Sequence, residues 1–164
     1  MPSKPNIRQI ALVVEDVDAA MEHYWSLLGI GPWDVRHFTS ETVRDFQVDG
    51  RPVTEDFDFI CAVTWVGDVE LELIQPIKGP NIYWEHLERH GPGLHHIKDV
   101  MPDDRLTEAV ASFAARGVRV LQTGWIDEDV HYYLDTEATL GMVYELGNGG
   151  RIGPPPRRHP PNVG

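Results

Sequence analysis

The chain has 164 residues, 41% of them hydrophobic and 24% charged, enough for one compact domain or two half-size modules sharing a core. Fourteen Lys and Arg against 26 Asp and Glu leave a net charge of −12, which argues against nucleic acid or an anionic membrane as partner, since both select clustered positive charge. The single cysteine, Cys61, excludes an intrachain disulfide and a cysteine-based zinc knuckle, and no apolar run reaches the roughly 20 residues of a bilayer span.

The segment Met1-Pro2-Ser3-Lys4-Pro5 carries no apolar stretch of the signal-peptide kind, so a soluble, cytoplasmic protein is expected. Residues 7–14 predict a strand. Residues 17–28 predict a helix, because Val17, Ala20, Met21, Tyr24, Trp25 and Leu28 fall on one face at helical spacing. Asp16 is placed to cap its start and Gly29 its end. Residues 40–53 read as a long polar loop. Residues 57–66 and 69–74 read as a hairpin around Gly67-Asp68. Residues 81–90 read as a short linking helix.

The pattern then repeats. Residues 93–100 predict a strand, and Leu106, Ala109, Val110 and Phe113 mark a helix face between Asp103 and Gly117. Seven positions separate Gln9 from Asp16 and seven separate His96 from Asp103, which defines a strand–helix repeat of about 87 residues. Residues 118–122, 125–134 and 142–146 are further strand candidates. The expected fold is therefore α+β, built from paired βαβββ modules. The last fifteen residues hold five of the thirteen prolines and predict an extended tail, loose or draped on a surface.

The hairpin register decides which side chains meet. With Gly67-Asp68 as the turn, Val66 faces Val69 and Val63 faces Glu72. Glu70, Glu72 and Ile74 then share a face with Phe59, Cys61, Val63 and Trp65. A carboxylate on a mostly apolar concave face is costly unless it is paired or binds metal. The same alternation also fits a solvent face with Glu72 merely exposed.

At this point the chain resembles the vicinal oxygen chelate superfamily of glyoxalase I, methylmalonyl-CoA epimerase, extradiol dioxygenases and antibiotic-resistance proteins. The residues that carry the resemblance are Leu71-Glu72-Leu73-Ile74-Gln75-Pro76, the run Glu88-Arg89-His90-Gly91-Pro92-Gly93-Leu94-His95-His96-Ile97, and Gly141-Met142-Val143-Tyr144-Glu145-Leu146. The resemblance implies two modules, 7–76 and 92–148, joined by a linker helix over 77–91. Together they would make a single domain over 1–148, with a Pro-rich tail over 149–164, curled as a half-barrel around a metal. It implies Gln9, Glu72, His96 and Glu145 as ligands of a divalent ion (Zn, Co, Ni, Mn or Mg), with Glu145 or Glu72 as the catalytic base. One nitrogen and three oxygens suit those ions.

Strand alternation puts His95 on the face opposite His96. Histidine is usual in epimerases and dioxygenases where this chain has Gln9, which argues against a ring-cleaving dioxygenase. Epimerases carry a further glutamate on the strand before Glu72; the nearest acids here, Asp56 and Asp58, fall on the wrong face. The basic residues with which glyoxalase I holds glutathione correspond to Val13 and Pro92.

Phe59, Cys61, Trp65 and Tyr132 are the expected substrate-lining residues, with His131 in place of Tyr132 if the register shifts. His23, His37, His86 and His159 are expected on the surface. The implied function is a metal-dependent lyase, isomerase or epimerase acting through an enolate on a small oxo-, hydroxy- or acyl-thioester substrate, in a homodimer. The competing class is a metal-free module that binds an aromatic or antibiotic-like compound.

Overall fold

The computed structural model describes residues 4–161; Met1–Ser3 and the last three residues of the Pro-rich tail lie outside the described residues. In chain order the elements are β1 (Ile7–Val13), α1 (Val17–Leu28), β2 (Trp33–Thr39), β3 (Arg44–Val48), β4 (Arg51–Pro52), β5 (Asp58–Val66), β6 (Val69–Lys78) and α2 (Ile82–His90). They continue with β7 (Gly93–Val100), α3 (Asp103–Ala115), β8 (Val120–Ile126), β9 (Asp129–Leu134), α4 (Glu137–Leu140), β10 (Val143–Gly147) and β11 (Arg157–His159). Among the described residues they make one mixed α+β fold around a curled, unclosed sheet of order β11-β2-β5-β6-β1-β7-β10-β9-β8-β3-β4.

The internal repeat is visible in that order: β2-β5-β6-β1 mirrors β8-β9-β10-β7. The modules join where β1 runs antiparallel to β7, while β6 and β10 run parallel to β1 and β7. Side chains on these four central strands converge on the concave face. One outer helix covers each module. Val17 and Met21 of α1 pack on Trp33, Val35, Ala62 and Leu73, and Leu106 of α3 packs with Val130, Leu134 and Leu146. A third core lies on the concave side, with Phe57, Phe59, Ile74, Ile82, Tyr83 and Tyr133 among its members.

Local chemistry sets the helix ends. The Asp16 carboxylate accepts from the Ala19 amide at 2.9 Å, and Gly29 ends α1 in the left-handed region at φ 67°. Asn81 caps α2 through the Trp84 amide at 2.8 Å. At α3 the cap is Pro102 and Asp103 is already helical, one position off expectation.

Three segments depart from the sequence reading, and the Pro-rich tail takes the draped form of its two expected alternatives. Residues 40–53 are not a loop: β3 and β4 form a hairpin over Asp49-Gly50, both with positive φ, and β3 pairs with β8 of the other module. Residues 33–39, for which no element was expected, form β2. The expected strand over 125–134 is broken at Asp127-Glu128 because Asp127 adopts φ 50°. The tail crosses the mouth of the concavity, tied by Arg36 to the Gly153 carbonyl at 2.9 and 3.2 Å, and ends as β11 paired with β2.

Candidate metal centre and active site

The hairpin register is the expected one: Val66 pairs with Val69 and Val63 with Glu72. Its inward face is the wall of a cavity of about 410 Å³. Phe59, Cys61, Val63, Trp65, Glu70 and Glu72 line it, with Trp65 at the rim. Such a volume suits a small ligand or the reacting end of a larger one.

Gln9, Glu72 and Glu145 line the cavity and converge on buried His96. His96 Nε2 lies 3.1 Å from Gln9 Oε1, 2.9 Å from Glu145 Oε2 and 3.5 Å from Glu72 Oε2. His96 is fully buried and Glu145 is 2% exposed. The register explains the convergence. Glu72 pairs with Ala11 on β1, Glu145 pairs with Lys98 on β7, and Gln9 and His96 each stand two residues before those positions. The repeat thus matches Gln9 with His96 and Ala11 with Lys98.

One imidazole nitrogen and three oxygens are the donor chemistry that a divalent ion takes. A single N–H at His96 Nε2 faces three oxygens and can satisfy only one of them. Buried Glu145 Oε2 is left without a hydrogen-bond donor although it lies within contact range of the imidazole. The Gln9 amide is oriented for ligation, because its Nε2 donates to Glu70 Oε1 at 2.6 Å and so turns Oε1 toward His96.

His95 is not on the opposite face. Ala11 pairs with His96 and Leu12 with Leu94, so His95 is the extra residue of a β-bulge, where strand alternation fails. Its Nδ1 lies 2.8 Å from His96 Nδ1, and its ring packs on Tyr83 and His86. One of the two Nδ1 atoms must carry the proton. When His96 donates, its Nε2 lone pair is free for the site.

The central electrostatics involve residues that the sequence reading missed. Lys98 Nζ lies 3.2 Å from Glu145 Oε1 and 3.3 Å from both oxygens of Asp129. Burial opposes the Lys98 charge, but Glu145 and Asp129 outweigh it and raise the ammonium above its ordinary value. Burial would likewise raise Glu145, but Lys98 and His96 hold it at about 2. Burial lifts Asp129 to about 6 against the pull of Lys98. Burial works against His96, yet Glu145 and Glu72 bring it to about 9. Burial pushes Glu70 up, and Glu72 adds to the shift.

Tyr132 faces away from the cavity and packs with the α3 cluster. The turn at Asp127-Glu128 sets the parity of β9, so Asp129, His131 and Tyr133 point inward instead. Burial depresses His131 to about 4. Tyr133 Oη lies 2.7 Å from Tyr83 Oη. Cys61 is buried in the wall, its thiol pushed up by burial and by Glu72. Asp58 pairs with His37, and Asp56 lies near Lys78, so neither acid enters the cavity. His86, expected on the surface, is buried on α2. Alternation from His96 would have exposed Lys98, and alternation from a turn at 127–128 would have exposed Asp129.

A curled, unclosed sheet built from two βαβββ modules is the architecture of one fold superfamily. The chain belongs to the Glyoxalase/Bleomycin resistance protein/Dioxygenase superfamily, whose family model matches residues 8–133. No curated protein matches the chain in sequence. Among solved structures it is similar to a hypothetical protein from Bacillus halodurans C-125, at 15% identity and TM-score 0.65, covering 92% of this chain and 99% of that one. Methylmalonyl-CoA epimerase from Mycobacterium tuberculosis is 16% identical with TM-score 0.63, covering 94% of each chain. A variant of the Streptomyces coelicolor methylmalonyl-CoA epimerase in complex with 2-nitronate-propionyl-CoA is 20% identical with TM-score 0.61, covering 93% of this chain and all of that one. At these identities the likeness is one of fold. No described helix is long and apolar enough to cross a membrane.

Proposed function

We propose that this chain is a divalent-metal enzyme that moves a proton on the carbon beside a carbonyl, with an epimerase, isomerase or lyase outcome. The substrate is a small oxo-, hydroxy- or acyl-thioester compound. The observation that carries this reading is the convergence of Gln9, Glu72 and Glu145 oxygens, from the cavity lining, on His96 Nε2. A bound ion supplies Lewis acidity to the carbonyl oxygen of the substrate.

The chain's own residues do the rest. Glu70 fixes the Gln9 amide, and His95 fixes the His96 ring. Phe59, Cys61 and Tyr83 make a wall that excludes water from the reacting carbon. Arg8 and Arg36 line the same cavity and favour a substrate with an anionic group. Of the two candidate bases, Glu72 is better placed. It lies on the cavity wall with 12% of its side chain exposed, whereas Glu145 is 2% exposed and held ionised by Lys98. A carboxylate held at about 2 is a weak proton acceptor at neutral pH. The epimerase neighbours make acyl-CoA thioesters the first substrates to try.

The test is exchange of the α-proton with deuterated solvent, screened over acyl-CoAs and oxo-acids with metal content measured in parallel. Glu72→Gln is expected to abolish exchange. A Glu72→Gln chain that keeps its metal and still exchanges at the wild-type rate removes Glu72 as base.

A second reading is favoured by Lys98, whose ammonium already pairs with Glu145 and Asp129. In that reading the chain is a metal-free module that binds an aromatic or antibiotic-like compound. Absence of bound metal after reconstitution would select it.

A further inference from the structure

A second group of ligating side chains lies outside the cavity, where α2 meets the β9–β10 connection. His86 and His90 are one helical turn apart on α2, on the same face. Glu137 is the first residue of α4. His90 Nε2 is 2.9 Å from Glu137 Oε1, and His86 Nδ1 is 4.0 Å from the same oxygen. One ligand atom from each residue lies within 4.8 Å of the other two. None of the three residues lines the cavity already described.

The geometry is that of a chelate. Tetrahedral ions with bonds of about 2.0–2.1 Å hold their ligand atoms about 3.3 Å apart. The distances of 2.9 and 4.0 Å bracket that value, so modest rotation of the two rings closes the site. Arg89 Nη2 lies 3.9 Å from Glu137 Oε2 and leaves Oε1 to the histidines. His90 is the last residue of α2, where free carbonyls favour a cation. The two imidazoles pack with ring centroids 5.0 Å apart.

We propose that His86, His90 and Glu137 form a second divalent-metal site, selective for a borderline first-row ion of the zinc or nickel kind. It is open to solvent on the His90 side. The ion staples the linker helix to the loop between the two strands that carry Tyr133 and Glu145. It also fixes the ring of His86, which packs on His95 at 5.0 Å between centroids, and His95 in turn touches His96. The site does not depend on the central quartet holding metal.

The test uses the full, tag-free chain loaded with Zn2+, freed of excess ion, and assayed for metal per chain. Wild type is expected to hold about two ions, His90→Ala/Glu137→Ala about one fewer, and Glu72→Ala/His96→Ala about one. If the central site binds no metal, wild type holds about one ion and loses it in His90→Ala/Glu137→Ala, so the two failures are distinguishable. Unchanged zinc in His90→Ala/Glu137→Ala overturns the proposal. Should that variant not fold by circular dichroism, X-ray absorption on zinc-loaded Glu72→Ala/His96→Ala decides. Two imidazole ligands support the site; one or none, or the absence of zinc, overturns it.

Discussion

Replacing Lys98 by Met removes an ammonium in contact with two buried carboxylates, Glu145 at 3.2 Å and Asp129 at 3.3 Å. All three side chains are at least nine-tenths buried. At an effective dielectric of about 20, each close attraction is worth about 5 kcal/mol before the cost of desolvating the ammonium. Breaking a buried pair on one side typically costs about 3–5 kcal/mol net, and Lys98→Met is expected to cost that much in chelator. The assay is urea unfolding at neutral pH, with and without excess Zn2+. The penalty should shrink as the pH falls toward 5, because Asp129, already raised to about 6, takes up a proton. It should also shrink in excess metal, because an ion at the quartet replaces the missing charge. A loss below about 1 kcal/mol in chelator, or no rescue by acid, would refute the assignment of Lys98 as the charge that holds the site together.

His95→Leu removes the partner of His96 Nδ1 and is expected to weaken central metal binding about 10–100-fold with the fold retained, as read by zinc titration. The metal-free chain should also report the state of His96. A histidine raised from 6.5 to about 9 contributes stability that is fully present below 6.5 and is lost as pH rises through 9. Unfolding free energy in chelator should therefore fall by up to about 3 kcal/mol across that window, and the fall should shrink in excess Zn2+, where the ligating ring is neutral. Asp16→Ala deletes the cap of α1 and should cost about 1 kcal/mol by urea unfolding, with metal binding unchanged.

Much of the fold was legible because the repeat wrote it twice. Gln9 and His96 open the same strand–helix interval, and Gly67-Asp68 fixed the hairpin register that puts Glu72 inward. Legibility failed where a backbone irregularity broke a period. The bulge at His95 turned two neighbouring histidines toward each other, which strict alternation forbids. The positive φ at Asp127, without a glycine to signal it, moved the inward parity of β9 from Tyr132 to its neighbours. The hairpin at 44–52 could have been anticipated from Asp49-Gly50, but its pairing with β8 of the other module is a long-range contact that no local pattern encodes. Lys98 was overlooked because a lysine two residues after a ligand reads as surface until the strand is known to be buried on that face. His86 is expected on the surface because a linking helix reads as exposed, whereas α2 buries Ile82, Tyr83 and His86.

The most direct test of the central claim is metal content in a His90→Ala/Glu137→Ala background, which silences the flank site, compared with the same chain also carrying Glu72→Ala/His96→Ala. About one divalent ion per chain in the first and none in the second is the expected result. No ion in the first chain after reconstitution, or equal metal in both, would contradict a metal centre built from Gln9, Glu72, His96 and Glu145.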